Sequence, residues 1–172
     1  MKKQSRIENL ISKFLQLHDR KIDLSLDRIN RLNKDLKINI DNLQAKTVTL
    51  SGTNGKWSTA TTIRSIFEAA GYKVDLFTSP HVQSYTERFI FESKEISEEN
   101  LFDLLSEVES KNNSKPITVF ELLTSAFYFY SASKSKSNVV IAENGLFQRY
   151  DSVSSIGHHL MNVTCPIGLD HL

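Results

Sequence analysis

The chain has 172 residues, enough for one domain of ordinary size, and its 40% hydrophobic and 24% charged content excludes both a disordered tail and a fibre. Lys+Arg 21 against Asp+Glu 20 leaves a net charge of +1, so no bulk field draws the chain to nucleic acid or to an anionic membrane surface. The single cysteine, Cys165, excludes an internal disulfide framework, no apolar run approaches the roughly 20 residues of a membrane span, and Met1-Lys2-Lys3-Gln4-Ser5 opens no signal-peptide core. The expectation is a cytoplasmic protein with neither nucleic-acid nor membrane partners.

The first forty residues read as helical. Ile7, Leu10, Ile11, Phe14 and Leu15 recur at helical spacing; Leu24, Leu26, Ile29, Leu32 and Leu36 follow with a looser period after the polar break His18-Asp19-Arg20-Lys21. Thr47-Val48-Thr49-Leu50 is short and β-branched and stops at Ser51-Gly52-Thr53-Asn54-Gly55, a strand running into a turn. A helix follows, with Ile63, Ile66, Phe67 and Ala70 on one face and Gly71 as its C′ glycine. Residues 74–77 predict a second strand, closed by Thr78-Ser79-Pro80. Ser97 caps a helix to about Val108, with Glu98 and Glu99 at its positive end. Thr118 and Glu121 form a capping box for another helix, apolar from Val119 to Tyr130. Its aromatic cluster of Phe120, Phe127, Tyr128, Phe129 and Tyr130 reads as core rather than as a stacking platform for bases. The serine- and lysine-rich run 131–137 reads as a solvated connector. Val139-Val140-Ile141-Ala142 is apolar throughout, as in strands buried on both faces of a parallel sheet, and 161–167 supplies one more strand.

Strands alternating with helices predict an α/β fold, a parallel sheet flanked by helices and preceded by N-terminal helices. In such sheets ligands gather at the carboxyl ends of the strands. The groups that should converge are therefore the loop 52–59, residues 79–81, Glu143, and Asp170-His171.

Strand, then Gly52-Thr53-Asn54-Gly55-Lys56-Trp57-Ser58-Thr59, then helix, is the context of a phosphate loop. Glycines let amides curl round an anion, the helix start adds positive potential, the lysine neutralises phosphate and a hydroxyl can face Mg²⁺. Only the Gly-Lys core of the general Walker pattern is met, so an ordinary turn-rich loop stays open. Glu143 ends a buried strand, where a carboxylate is costly unless paired or bound to a cation; a salt bridge to Arg149 or a helix cap would also serve. Ser79 stands in a turn that favours serine anyway, and His171 fits a solvated terminal histidine as well as a ligand. Together these oxygen-rich groups suit Mg²⁺, whereas one cysteine and the pair His158-His159, which reads as surface, do not give zinc spacing.

Taken in order, Val48-Thr49-Leu50-Ser51-Gly52-Thr53-Asn54-Gly55-Lys56, Leu76-Phe77-Thr78-Ser79-Pro80-His81, Glu87-Arg88, Ile117-Thr118-Val119-Phe120-Glu121, Glu143-Asn144-Gly145-Leu146 and Ile167-Gly168-Leu169-Asp170-His171 resemble the folylpolyglutamate synthase/dihydrofolate synthase family, relatives of the Mur ligases. The stretch from Lys21 to Ile29 is similar to that family's N-terminal segment. The resemblance implies a P-loop, Mur-ligase-like ATP-binding domain. Residues 1–172 would be its N-terminal part, with the rest of it and a C-terminal domain absent. It implies ATP-dependent addition of L-glutamate to dihydropteroate or folate through an acyl phosphate, with ATP and Mg²⁺ as cofactors and a monomeric enzyme. By position, Gly52, Thr53, Asn54, Gly55 and Lys56 would hold ATP, helped by Ser58 or Thr59, with Lys56 the catalytic cation. Ser79, Glu143 and His171 would serve the metal, and Arg149 and Asp151 match family positions. Trp57 stands where the family has glycine, Phe147 and Gln148 replace two more glycines, and Ser154 replaces an asparagine. The 172 residues alone are expected to give no turnover. Two other readings remain open, an inactive nucleotide-binding remnant of the same fold and an unrelated P-loop kinase.

Overall fold

The computed structural model of the chain describes residues 6–16, 25–146 and 148–168. Helices α1 (Arg6–Phe14), α2 (Asp27–Asp35) and α3 (Ile40–Gln44) come first. Of the apolar positions read from the sequence, Ile7, Ile11 and Phe14 on α1, Ile29 and Leu32 on α2, and Leu36 just after it are buried; Leu10 and Leu26 are half-buried, and Leu15, just past the end of α1, is exposed to solvent. The polar break at 18–21 and the stretch to Leu24 lie outside the described residues.

Then follow β1 (Thr47–Ser51), α4 (Lys56–Ala69), β2 (Val74–Phe77), a 3₁₀ turn (Tyr85–Arg88), β3 (Phe89–Phe91), β4 (Lys94–Glu95), α5 (Glu98–Asn112), α6 (Val119–Ser133), β5 (Val139–Glu143), a second 3₁₀ turn (Ser152–Ile156) and β6 (Met161–Thr164). The sheet order is β4-β3-β2-β5-β1-β6. β2, β5, β1 and β6 run parallel, as the alternation of strands and helices predicts, but β3 and β4 add an antiparallel edge that the sequence reading lacks. The last strand is also shorter than read. It stops before Cys165-Pro166, because proline has no N–H to continue the ladder.

One face of the sheet carries the larger core, in which Phe77, Phe89 and Phe91 meet Phe127 and Tyr128 of α6 and Leu101, Leu105 and Val108 of α5. α5 runs four residues beyond the expected end, to Asn112, and closes with Asn113 in the left-handed region. Ser97 and Thr118 cap as read: Ser97 Oγ accepts from Asn100 N–H at 3.2 Å, and Thr118 and Glu121 complete the capping box. Glu121 also accepts from Arg28 Nε at 3.0 Å, which ties α2 to the start of α6.

Among the described residues α4 is the helix on the other face, over Val48, Leu50, Leu76 and Ile141. Ala60 is its only fully buried residue; Ile63 and Phe67 pack beside it, while Ile66 is 63% exposed, not on the inward stripe as read. Residues 60, 63 and 67 fall within one helical face, and residue 66 is rotated about 120° from residue 60. Among the described residues no helix is long and apolar enough to cross a membrane.

The serine- and lysine-rich run is a solvated connector only in part: Ser133, Lys134 and Lys136 are exposed, whereas Ser131 and Ser137 are buried. Asp75 is fully buried on β2, and its carboxylate accepts Ser135 Oγ and Ser137 Oγ, each at 2.9 Å, and Glu92 N–H at 2.8 Å. Lys46 Nζ donates to the carbonyls of Ser131 and Ser137, closing the same knot. The serines are there to satisfy a buried charge. Asp75→Ala strands three donors at once, so urea unfolding is expected to lose about 3 kcal/mol, with no change in m-value.

Candidate functional site

Register puts the strand ends together. Leu50 pairs with Glu143 and Phe77 with Ala142, so the chain leaves β1, β5 and β2 at one level. From β1 it turns through Gly52, whose φ of +129° and a Cβ position only 2.7 Å from the Cys165 carbonyl oxygen admit no side chain. Gly55, at φ +80°, is the N-cap of α4.

The loop is fastened to the segment after β6. Thr53 and Asn54 donate their N–H groups to the Pro166 carbonyl at 3.0 and 3.2 Å, and Cys165 N–H bonds the Ser51 carbonyl at 2.7 Å. Thr53 Oγ1 exchanges hydrogen bonds with the backbone of Gly168. The first intrahelical bond of α4 runs from Thr59 N–H to the Gly55 carbonyl, so the amides of Lys56, Trp57 and Ser58 are first-turn donors without helical acceptors. These amides, rather than those of Thr53 and Asn54, face an incoming anion at the positive end of the helix.

Lys56 Nζ donates to the Gly52 carbonyl at 2.7 Å and stands 3.9 Å from Glu143 Oε1. Glu143, only 3% exposed, accepts the Ser79 N–H at 3.2 Å through Oε2. Burial pushes its carboxyl above the usual glutamate range, and the Ser79 N–H, Lys56 and Arg88 pull it back only in part. Among the described residues neither alternative partner is bonded to it: Arg149 is exposed, with its guanidinium 5.5 Å from the Tyr150 ring, and the backbone donor to the carboxylate is the loop amide of Ser79. Lys56, Gly52, Ser79 and Glu143 thus form one group. Ser58 is exposed on the first turn of α4, and Thr59 Oγ1 lies 3.5 Å from Cys165 Sγ. His171 lies outside the described residues.

Asp151, matched only through the motif, is a structural anchor. It is buried, caps the second 3₁₀ turn through Val153 N–H and accepts Leu146 N–H at 2.5 Å, which pins the loop after β5. Arg88 and His81 stand beside Ser79, bonded at 2.8 Å from Arg88 Nε to His81 Nδ1; the sequence places His81 among the strand-end groups expected to converge and gives Arg88 no role beyond membership of a motif. Trp57 lines a cavity of about 600 Å³ with Ser79, Pro80, Val82 and Ile90, beside the phosphate loop. A second cavity, of about 510 Å³, lined by Arg149, His158, His159 and Asn162 among others, shares none of these residues. No cluster of three or more His, Cys, Asp or Glu side chains suited to a metal occurs among the described residues. The oxygen donor shown here is the buried carboxylate of Glu143, with Ser79 held beside it through its backbone N–H; such a carboxylate fits a hard cation completing its shell with phosphate oxygens and water.

No protein-family model matches the chain. The dihydrofolate synthase/folylpolyglutamate synthase of Escherichia coli K12 is 34% identical over 168 residues, which are 97% of this chain and 39% of that protein. The chain belongs to the dihydrofolate synthase/folylpolyglutamate synthase family. Among solved structures, E. coli FolC in complex with DHPP and ADP superposes with a TM-score of 0.86 at 33% identity, over 97% of this chain and 39% of that one. The bifunctional family member from Yersinia pestis complexed with AMPPNP and a Mn ion gives 0.85 at 30% identity, over 98% and 40%. The chain therefore spans about two fifths of the length of these family members.

The buried carboxylate makes a signed prediction. Because the folded-state pKa of Glu143 is raised, its contribution to stability is complete below the ordinary glutamate value and is lost as pH rises through the raised one. Glu143→Gln is expected to raise the melting temperature of the ligand-free chain at pH 7 and to leave it unchanged near pH 4. Gly52→Ala is expected to cost about 2 kcal/mol or more in denaturant unfolding, since the added methyl meets backbone atoms and the φ is strained.

Proposed function

We propose that the chain supplies the nucleotide-binding part of an ATP-dependent ligase joining L-glutamate to the carboxylate of dihydropteroate or folate. One observation carries the reading: Lys56, Ser79 and Glu143 meet at the start of α4, at the carboxyl ends of three parallel strands. The nucleotides and metal held by the E. coli and Y. pestis family members are consistent with it.

In this reading the amides of Lys56, Trp57 and Ser58 receive the phosphates, while Gly52, Thr53, Asn54 and Gly55 hold the loop in shape for them. Lys56 exchanges the Gly52 carbonyl for a phosphate oxygen, a stronger charge-assisted bond. Ser79 and Glu143 would hold Mg²⁺, His171 a second Mg²⁺ or its shell, and a hydroxyl of Ser58 or Thr59 would add to the polar lining. Bound Mg²⁺ supplies neutralisation of phosphate charge. A carboxylate oxygen of the pterin acid attacks the γ-phosphorus of ATP and ADP leaves. The amino nitrogen of glutamate then attacks the acyl carbon, phosphate leaves, and one proton is released as the amide forms. Trp57 is compatible with this, because its indole lines the neighbouring groove with Pro80 and Val82.

The same indole provides the test. Trp57 is the only tryptophan, so Mg·ATP binding is expected to change the intrinsic fluorescence of the chain saturably. Lys56→Ala removes a charge-assisted bond of about 1.5–3 kcal/mol and is expected to weaken binding roughly 10- to 100-fold. Chelating the metal with EDTA is expected to weaken it as well. A chain that binds no nucleotide by calorimetry in the presence of Mg²⁺ overturns the reading.

A further inference from the structure

Arg88 ends the 3₁₀ turn that precedes β3, and its carbonyl accepts the N–H of Thr78 at 3.2 Å, which fixes it next to Ser79. Its Nε donates to His81 Nδ1 at 2.8 Å. A guanidinium is always protonated, so this imidazole nitrogen is the acceptor and carries no proton. Tyr85 braces the pair: its ring lies 4.2 Å from that of His81 and 5.3 Å from the guanidinium carbon.

What Arg88 lacks is an anion. Among the described residues no carboxylate stands within 4 Å of it. Its neighbour Glu87 is already engaged, accepting the N–H groups of Val82, Gln83 and Ser84 at 2.8 to 2.9 Å. Glu143 directs its two oxygens to Ser79 N–H and Lys56. Among the described residues this half-buried guanidinium therefore spends one donor on a neutral ring, and its terminal nitrogens, the planar fork that matches carboxylate and phosphate oxygens, meet no acceptor. It flanks Glu143 on the Ser79 side, as Lys56 does on the loop side.

We propose that Arg88 receives the anionic oxygens at the reacting end of the substrates, with His81 as its positioning residue. These oxygens belong either to the carboxylate of the acid or to the terminal phosphoryl group of the nucleotide. The proposal rests on the ligase reading above. It is tested on the chain itself through Trp57 fluorescence, with three titrations of wild type, Arg88→Gln, Arg88→Lys and His81→Ala: Mg·ADP, Mg·ATP, and pteroate in the presence of Mg·ADP. Arg88→Gln is expected to keep its melting temperature and to bind Mg·ADP within about twofold of wild type, while losing at least tenfold in one other titration. A loss with Mg·ATP assigns the phosphoryl oxygens, and a loss with pteroate assigns the carboxylate. Arg88→Lys is expected to recover part of that loss, and His81→Ala to show a smaller loss in the same titration. Arg88→Gln indifferent in all three titrations, or weakened in all three together with its melting temperature, overturns the proposal and leaves the ligase reading standing. Wild type blind to both nucleotides overturns that reading and this proposal with it.

Discussion

β5 lies between β1 and β2 and parallel to both, and the site exists because of that placement. A strand with partners on both edges, α6 on one side and α4 on the other, has no face left for water, which is why Val140, Ile141 and Ala142 are apolar without alternation. The same enclosure carries Glu143, the next residue, into a position that a strand at the sheet edge would leave solvated. Parallel register then aligns the exits of β1 and β2 with it. A loop, a serine and a carboxylate far apart in sequence meet because three strands end at one level.

Electrostatics turn that meeting into a binding site. Two opposite charges about 4 Å apart attract by about 4 kcal/mol at an effective dielectric of 20, and burying each ion costs several kcal/mol, so Lys56 at 3.9 Å leaves Glu143 incompletely compensated. The raised carboxyl pKa expresses the same imbalance. Lys56 itself is parked on the carbonyl of Gly52, a neutral acceptor that a phosphate oxygen surpasses. Arg88, on the other flank, is bonded to a neutral imidazole. Two cations resting on neutral acceptors around one under-compensated anion form an arrangement that, in the proposed reading, a metal–phosphate pair would complete: the cation would satisfy the carboxylate, and the phosphate the lysine.

Much of this was legible in the sequence, because the signals are local. β-branched Thr47 to Leu50, the apolar run of β5, the capping box at Thr118 and the glycines at 52 and 55 each dictate a conformation without reference to distant residues. What escaped depends on tertiary partners. The β3–β4 hairpin turns through Glu92 and Ser93, both at positive φ, and neither is the glycine or asparagine by which such a turn is recognised. Ser135 and Ser137 looked like solvated residues because the buried charge they satisfy, Asp75, lies some sixty positions earlier. Sequence proximity offers Arg149 as one alternative partner for Glu143, where the fold brings Lys56 from the neighbouring strand's loop. Arg88 carried no local signal, since its meaning lies in the anion it does not have.

The loop proposed to cradle phosphate is tied down by the fold itself. Loops rich in glycine lose much conformational entropy on ordering, and here that cost is met by tying Thr53 and Asn54 to the Pro166 carbonyl, with Gly168 bonded to the threonine hydroxyl. Those two amides are then committed to structure. The donors left for an anion are the next three, and they belong to a helix, whose own hydrogen bonds hold them in direction. Pro166 suits its part: it offers a carbonyl, and its missing N–H ends β6 where the strand must release the chain to reach the loop. The segment after β6 is thus as much a component of the loop at 52–55 as the glycines within it, although more than a hundred residues separate them.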